Sequence, residues 1–139
     1  MRKSLALRAA LLMVVIVGLA GCRIFLPGNE IDGLKFFVDG EEFTEEMLVL
    51  QSGQEATITV KPVDRYGEKV IKCIFSWLVY FEGNQGIGDI DTESGETVVF
   101  TAAEVTDEPV EGLLSVSVEN YLTGYTIDAQ LEVSVVPAG

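Results

Sequence analysis

The chain has 139 residues, with 22 Asp or Glu against nine Lys or Arg and no His, for a net charge of −13 at pH 7. So acidic a surface repels phosphate backbones, which are gripped by cationic side chains, and this excludes nucleic acid as a partner. The lack of histidine excludes Ser/His/Asp and Cys/His nucleophile systems in their usual form, and with them the common zinc sites built on several His or Cys ligands.

At the N-terminus, Arg2, Lys3 and Arg8 precede an apolar run from Ala9 to Ala20. This is the layout of a secretory signal: a positive start, an apolar middle and a small-residue exit. Twelve residues are too few to span a bilayer, which takes about 20. The run exits through Leu19, Ala20, Gly21 and Cys22. These four residues resemble the lipobox of bacterial lipoproteins, which implies cleavage after Gly21 and a diacylglycerol on the Cys22 thiol. An ordinary signal peptide cut near Gly21, or an uncleaved anchor, is the other reading. Two acyl chains suffice for stable anchoring where one is marginal, so the resemblance implies a protein that sits on a membrane without crossing it. In lipoproteins, a residue other than aspartate after the modified cysteine tends to direct sorting to an outer membrane where the cell has one, and Arg23 fits that tendency. The expected location is the cell envelope, facing the periplasm or the exterior.

The expected organisation is a signal over residues 1–21, a lipidated cysteine and short tether over 22–33, and one domain over 34–139. Taking 21 residues from 139 leaves 118, enough for one domain with its own core. All 22 acidic residues but only six of the nine basic ones follow Gly21, so that part carries a net charge of −16. Anionic headgroups would repel such a domain, and its acidity reads as solubility close to a membrane. The tether, "RIFLPGNEIDG", reaches at most about 30 Å when extended. Its Ile24, Phe25 and Leu26 either dip into the lipid interface or pack on the domain.

From Leu34 onward the hydrophobic period is two, as in half-buried strands. In "ATITVKP", Ala56, Ile58 and Val60 alternate with Thr57, Thr59 and Lys61. The pattern recurs with Val98 and Phe100, with Leu114, Val116 and Val118, and with Ile127, Ala129, Leu131, Val133 and Val135. The segment from Lys72 to Phe81 is apolar on both parities, which predicts a central strand with both faces covered; Cys73, Phe75, Trp77 and Val79 share one face. "TEEMLVL" offers a single helical turn capped by Thr44. Turn signals such as "DGEE", "QSGQ", "RYGE" and "LTG" separate the runs. The expected fold is all-β: a sandwich of about seven to eight strands.

The run "ATITVKPVDRYGEKV", Trp77 in the next strand, and "GDIDTESGETVVFTAA" resemble the bacterial immunoglobulin-like domains of envelope proteins. The likeness rests on Val63, Asp64, Gly67 and Val70, and on Gly95 with Phe100 to Ala102, within about Gly53 to Val136. It implies an immunoglobulin-like β-sandwich that works by non-covalent binding. This chain departs from the immunoglobulin pattern in having no cysteine pair between the second and penultimate strands, where Ile58 or Val60 and Val116 stand, and no tyrosine at the start of the penultimate strand. Such domains also usually occur in tandem, and this chain has one copy.

In that strand order the loops "DRYGE", "DTESG" and "NYLTGY" gather at one end and display Arg65, Tyr66, Asn120, Tyr121 and Tyr125. Tyrosine offers large contact area at low entropic cost, so this end is a candidate site for another envelope protein or a glycan. The competing reading makes the tyrosines plugs over the end of the sandwich. In a second class of function, the protein is an accessory of an envelope complex, contacted by strand addition at a sheet edge. Asp89, Asp91 and Glu93 alternate as in a calcium loop, but Ser94 and Phe100 stand where the helix-loop-helix motif needs Gly and Glu. Neither metal nor cofactor is expected. A single sandwich has little material for a cleft between two catalytic carboxylates, so enzyme activity is not expected either. With Cys22 carrying lipid, Cys73 is left alone and is expected to pack as a small hydrophobe.

Overall fold

The computed structural model describes residues 30–81 and 85–138. The signal, Cys22 and most of the tether lie outside the described residues. Within them the chain is all β, with two sheets packed as a sandwich. In chain order the strands are β1 Gly33–Val38, β2 Glu41–Phe43, β3 Met47–Gln51, β4 Glu55–Val63, β5 Cys73–Phe81, β6 Gly88–Ile90, β7 Thr97–Ala102, β8 Val110–Asn120 and β9 Thr126–Val136. One sheet has the order β2-β1-β4-β7-β6 and the other β3-β9-β8-β5. This is the immunoglobulin arrangement: four strands of one sheet facing a three-strand unit of the other, with β3 added in parallel beside β9.

The alternating residues do what their period predicts. Ile58, Val60, Val98, Phe100, Leu114, Val116, Val118, Val133 and Val135 are buried between the sheets at 0–1% exposure, in one core with Trp77. Ile58, Val60 and Val116 fill the space where other immunoglobulin folds place a disulfide. Trp77 projects from β5 and its Nε1–H donates to the Gly95 carbonyl at 2.7 Å, so the indole is buried with its polar atom paired. Ile31, assigned by sequence to the tether, is 4% exposed and already belongs to the core.

Three expectations about local structure change. The segment after Thr44 forms strand β3 and no helical turn: Leu48 and Leu50 point into the core while Val49 points out, and Met47 to Gln51 pair with Glu132 to Val136. A register that buries two leucines outweighs one exposed turn of helix. The chain forms nine strands among the described residues, because "DGEE" closes a hairpin that adds β2. Asp39 and Gly40 both have positive φ, 52° and 89°, the two-residue turn that matches strand twist. Finally, β5 is an edge strand of its sheet, not a central one.

Phe100 is wholly buried on β7. Truncation to alanine leaves a cavity, and Phe100→Ala should lower stability by about 3–5 kcal/mol, measured as a fall in the urea midpoint with unchanged slope.

Candidate functional site

The structure brings the three predicted loops together at one end. The β4–β5 loop meets the β6–β7 loop through Lys69 Nζ to Glu96 Oε2 at 3.0 Å. It meets the β8–β9 turn through Tyr121 N–H, which donates to the Lys72 carbonyl at 3.2 Å. The first loop is stiffened from within: Asp64, only 6% exposed, accepts at Oδ1 from the backbone N–H groups of Tyr66 (2.8 Å) and Glu68 (3.0 Å). Gly67 takes φ 82° inside that turn. This is an aspartate side chain standing in for backbone partners, as in Asx turns.

On this frame Tyr66, Tyr121 and Tyr125 are 46%, 52% and 51% exposed. They are not buried plugs; each keeps half its surface in water. Arg65 lies with its guanidinium 5.2 Å from the Tyr66 ring centroid, a cation–π distance. Asn120 has a different role. It is fully buried, its Oδ1 accepts from Leu122 N–H at 2.9 Å, and its carbonyl accepts from Thr123 N–H (3.2 Å) and Gly124 N–H (2.7 Å). It builds the turn that holds the tyrosines out and presents no surface of its own. The signal that could have identified it is its place before "YLTG", since asparagine side chains commonly close turns two residues on.

The sequence reading missed the outer side of β5. Ile74, Leu78 and Tyr80 are each about half exposed, because no element covers that face, and Phe81, of the opposite parity, is half exposed at the end of the strand. An apolar run on both parities is produced equally by a doubly covered central strand and by an edge strand with an apolar outer face, so periodicity cannot separate them. Tyr80 pairs with Leu113 of β8, which pairs with Glu132 of β9 and, through it, Met47 of β3. With Phe81 and Glu111 they line a shallow open groove of about 600 Å³.

The free edge of β5 is partly occupied. Trp77 N–H donates to the Glu93 carbonyl at 3.0 Å, and Ser76 bridges to Ser94. The remainder, Leu78 to Phe81, has no strand beside it on that edge among the described residues.

Among the described residues no three acidic or cysteine side chains converge as metal ligands. Asp91 Oδ1 accepts from Val99 N–H at 2.8 Å and so fixes the β6–β7 turn, where Gly95 has φ 95°. Cys73 sits at the loop end of β5, half-buried, with its Sγ 3.8 Å from the carbonyls of Val70 and Ile71. Burial first, and then the Glu96 carboxylate, push its thiol above the ordinary range, while Lys69 pulls the other way.

No protein family matches the chain, and no curated protein matches it in sequence. The fold and the surfaces described above therefore carry the functional reading by themselves.

Two outcomes follow from these placements. Asn120→Ala removes the side-chain acceptor of the Leu122 amide from a fully buried position and should cost about 1–3 kcal/mol, with Tyr125→Ala giving a clearly smaller loss in the same thermal melt. Alkylation of Cys73 in the native protein should be slower at neutral pH than that of an unstructured cysteine and should accelerate as pH rises. Because the folded thiol holds its proton to higher pH than the unfolded one, its contribution to stability is complete below the unfolded pKa and is lost as pH rises through the folded one. Cys73→Ala should remove that part of the alkaline destabilisation in pH-dependent melts.

Proposed function

We propose that this is a non-catalytic, lipid-anchored cell-envelope protein whose immunoglobulin-like domain holds another envelope protein close to the membrane. The anchor follows from the lipobox-like exit at Cys22. The observation that carries the binding surface is the edge strand β5, whose segment Leu78–Phe81 has no strand beside it among the described residues and lies next to half-exposed Leu78 and Tyr80. An added strand would take main-chain hydrogen bonds from the edge and seat alternate side chains on the apolar outer face. At an edge of the other sheet, β2 is three residues long and begins Glu41-Glu42, a common protection against unwanted pairing. The end of β5 lacks such protection, which favours this surface over the tyrosine loops as the place of protein contact.

The test is affinity purification of the full-length lipidated protein from its own detergent-solubilised envelope, beside Leu78→Glu/Tyr80→Lys and Tyr66/Tyr121/Tyr125→Ala variants. A stoichiometric envelope protein lost only from the β5 variant supports the reading, provided the melting temperature is unchanged. Loss from the tyrosine variant alone moves recognition to the loops, and recovery of the bait alone removes the stable-partner reading. The intact mass of the same preparation reports the anchor: Cys22→Ser should abolish both the lipid adduct and membrane retention.

A further inference from the structure

The end that carries the tyrosines is also the end at which the chain enters the domain. Gly33 pairs with Val63, and Asp32 N–H donates to the Val63 carbonyl at 2.8 Å, immediately before the Asp64–Tyr66 turn. Any anchor preceding Glu30 therefore pulls on this end. From Cys22 to Ile31 the chain spans at most about 30 Å when extended. Strand β9 has 11 residues, which at about 3.3 Å each makes the sandwich about 35 Å long. A tether no longer than the sandwich favours this end over the opposite one, with Glu104, Asp107 and Glu108, as the end nearer the bilayer that holds Cys22.

The surface presented at the entry end suits a lipid interface. Tyr66, Ile71, Tyr121, Leu122 and Tyr125 are 46–60% exposed in its loops, with Ile74 half exposed one step below. Tyrosine is enriched at membrane–water interfaces because its ring is apolar and its tip polar. Charge is segregated along the same axis. Each lysine and arginine among the described residues lies toward this end: Lys35 and Lys61 paired across β1 and β4, and Arg65, Lys69 and Lys72 in the loop. The far end carries Asp39, Glu41, Glu55, Glu104, Asp107 and Glu108 without a cation. Glu30, Asp32, Asp64, Glu68, Asp91, Glu93, Glu96 and Glu119 stand among the cations, so this end is acidic on balance, though less so than the far end. Apolar side chains supply the contact, and the placing of the cations favours this end over the other.

We propose that the β4–β5 loop and β8–β9 turn dock on the surface of the bilayer, with Tyr66, Tyr121, Leu122 and Tyr125 in the interface. Resting on the lipid-anchored reading, this makes the domain an oriented one, with β5 running away from the membrane and its free edge held clear of the lipid. The net negative charge opposes binding less at this end than at the other, because the cations lie here.

The test places spin labels on the full-length protein, extracted with its anchor and reconstituted in phosphatidylcholine vesicles containing a minor share of phosphatidylglycerol. Single cysteines replace Leu122, Tyr80 or Asp107 in a Cys73→Ala background. The Leu122→Cys label should collide with oxygen, relative to a water-soluble nickel chelate, several-fold more than the Asp107→Cys label, and that ratio should change little with salt. Equal ratios at the two positions, or a label at Tyr80→Cys deeper than that at Leu122→Cys, overturn the proposal. Intact mass separates the two readings. Absence of a diacylglycerol adduct with the Leu122 label still in lipid removes the lipoprotein assignment alone; absence of both removes the two together.

Discussion

The architecture turns on the burial of one indole. Trp77 is 2% exposed between the sheets, and an indole N–H buried without a partner would cost about 1–3 kcal/mol. Its partner is the Gly95 carbonyl, which belongs to the loop leaving the opposite sheet. Satisfying it draws residues 93–95 across the mouth of the sandwich and lays them along β5, where Glu93 and Ser94 take the edge at Ser76 and Trp77. The same contact thus closes the core, joins the sheets and decides how much of the β5 edge stays open. What remains is Leu78 to Phe81, on the side remote from the tyrosine loops.

A second constraint is where the chain enters. Because β1 begins opposite the end of β4, the chain enters the domain at the end that carries the tyrosine loops. The two exposed apolar regions then point in different directions. One lies at this entry end, and the other faces sideways from the lower half of β5.

Polar residues near the loops divide by burial rather than by type. Asp64 and Asn120 look like ligand contacts in sequence, yet both are buried and spend their oxygens on backbone amides of their own turns. The tyrosines beside them are displayed because those turns are closed. Stiff loops of this kind lose little entropy when they meet a surface, a benefit to any contact they make.

The sequence by itself determined the all-β class and the inward residues of β4, β7, β8 and β9, while the gathering of three loops at one end followed only from the strand order that the immunoglobulin resemblance implied. It could do so because the period-two alternation is local: each strand records in its own residues which side faces the core. It did not determine that β5 lies at an edge, that Met47 to Gln51 pairs in parallel with β9, or that Asn120 is scaffold. Those depend on lateral strand order and on what covers a face, which are settled by contacts between residues far apart in the chain. An apolar side chain carries the same signature whether or not a second layer covers it, and only the tertiary structure shows that Leu78 and Tyr80 stay half exposed.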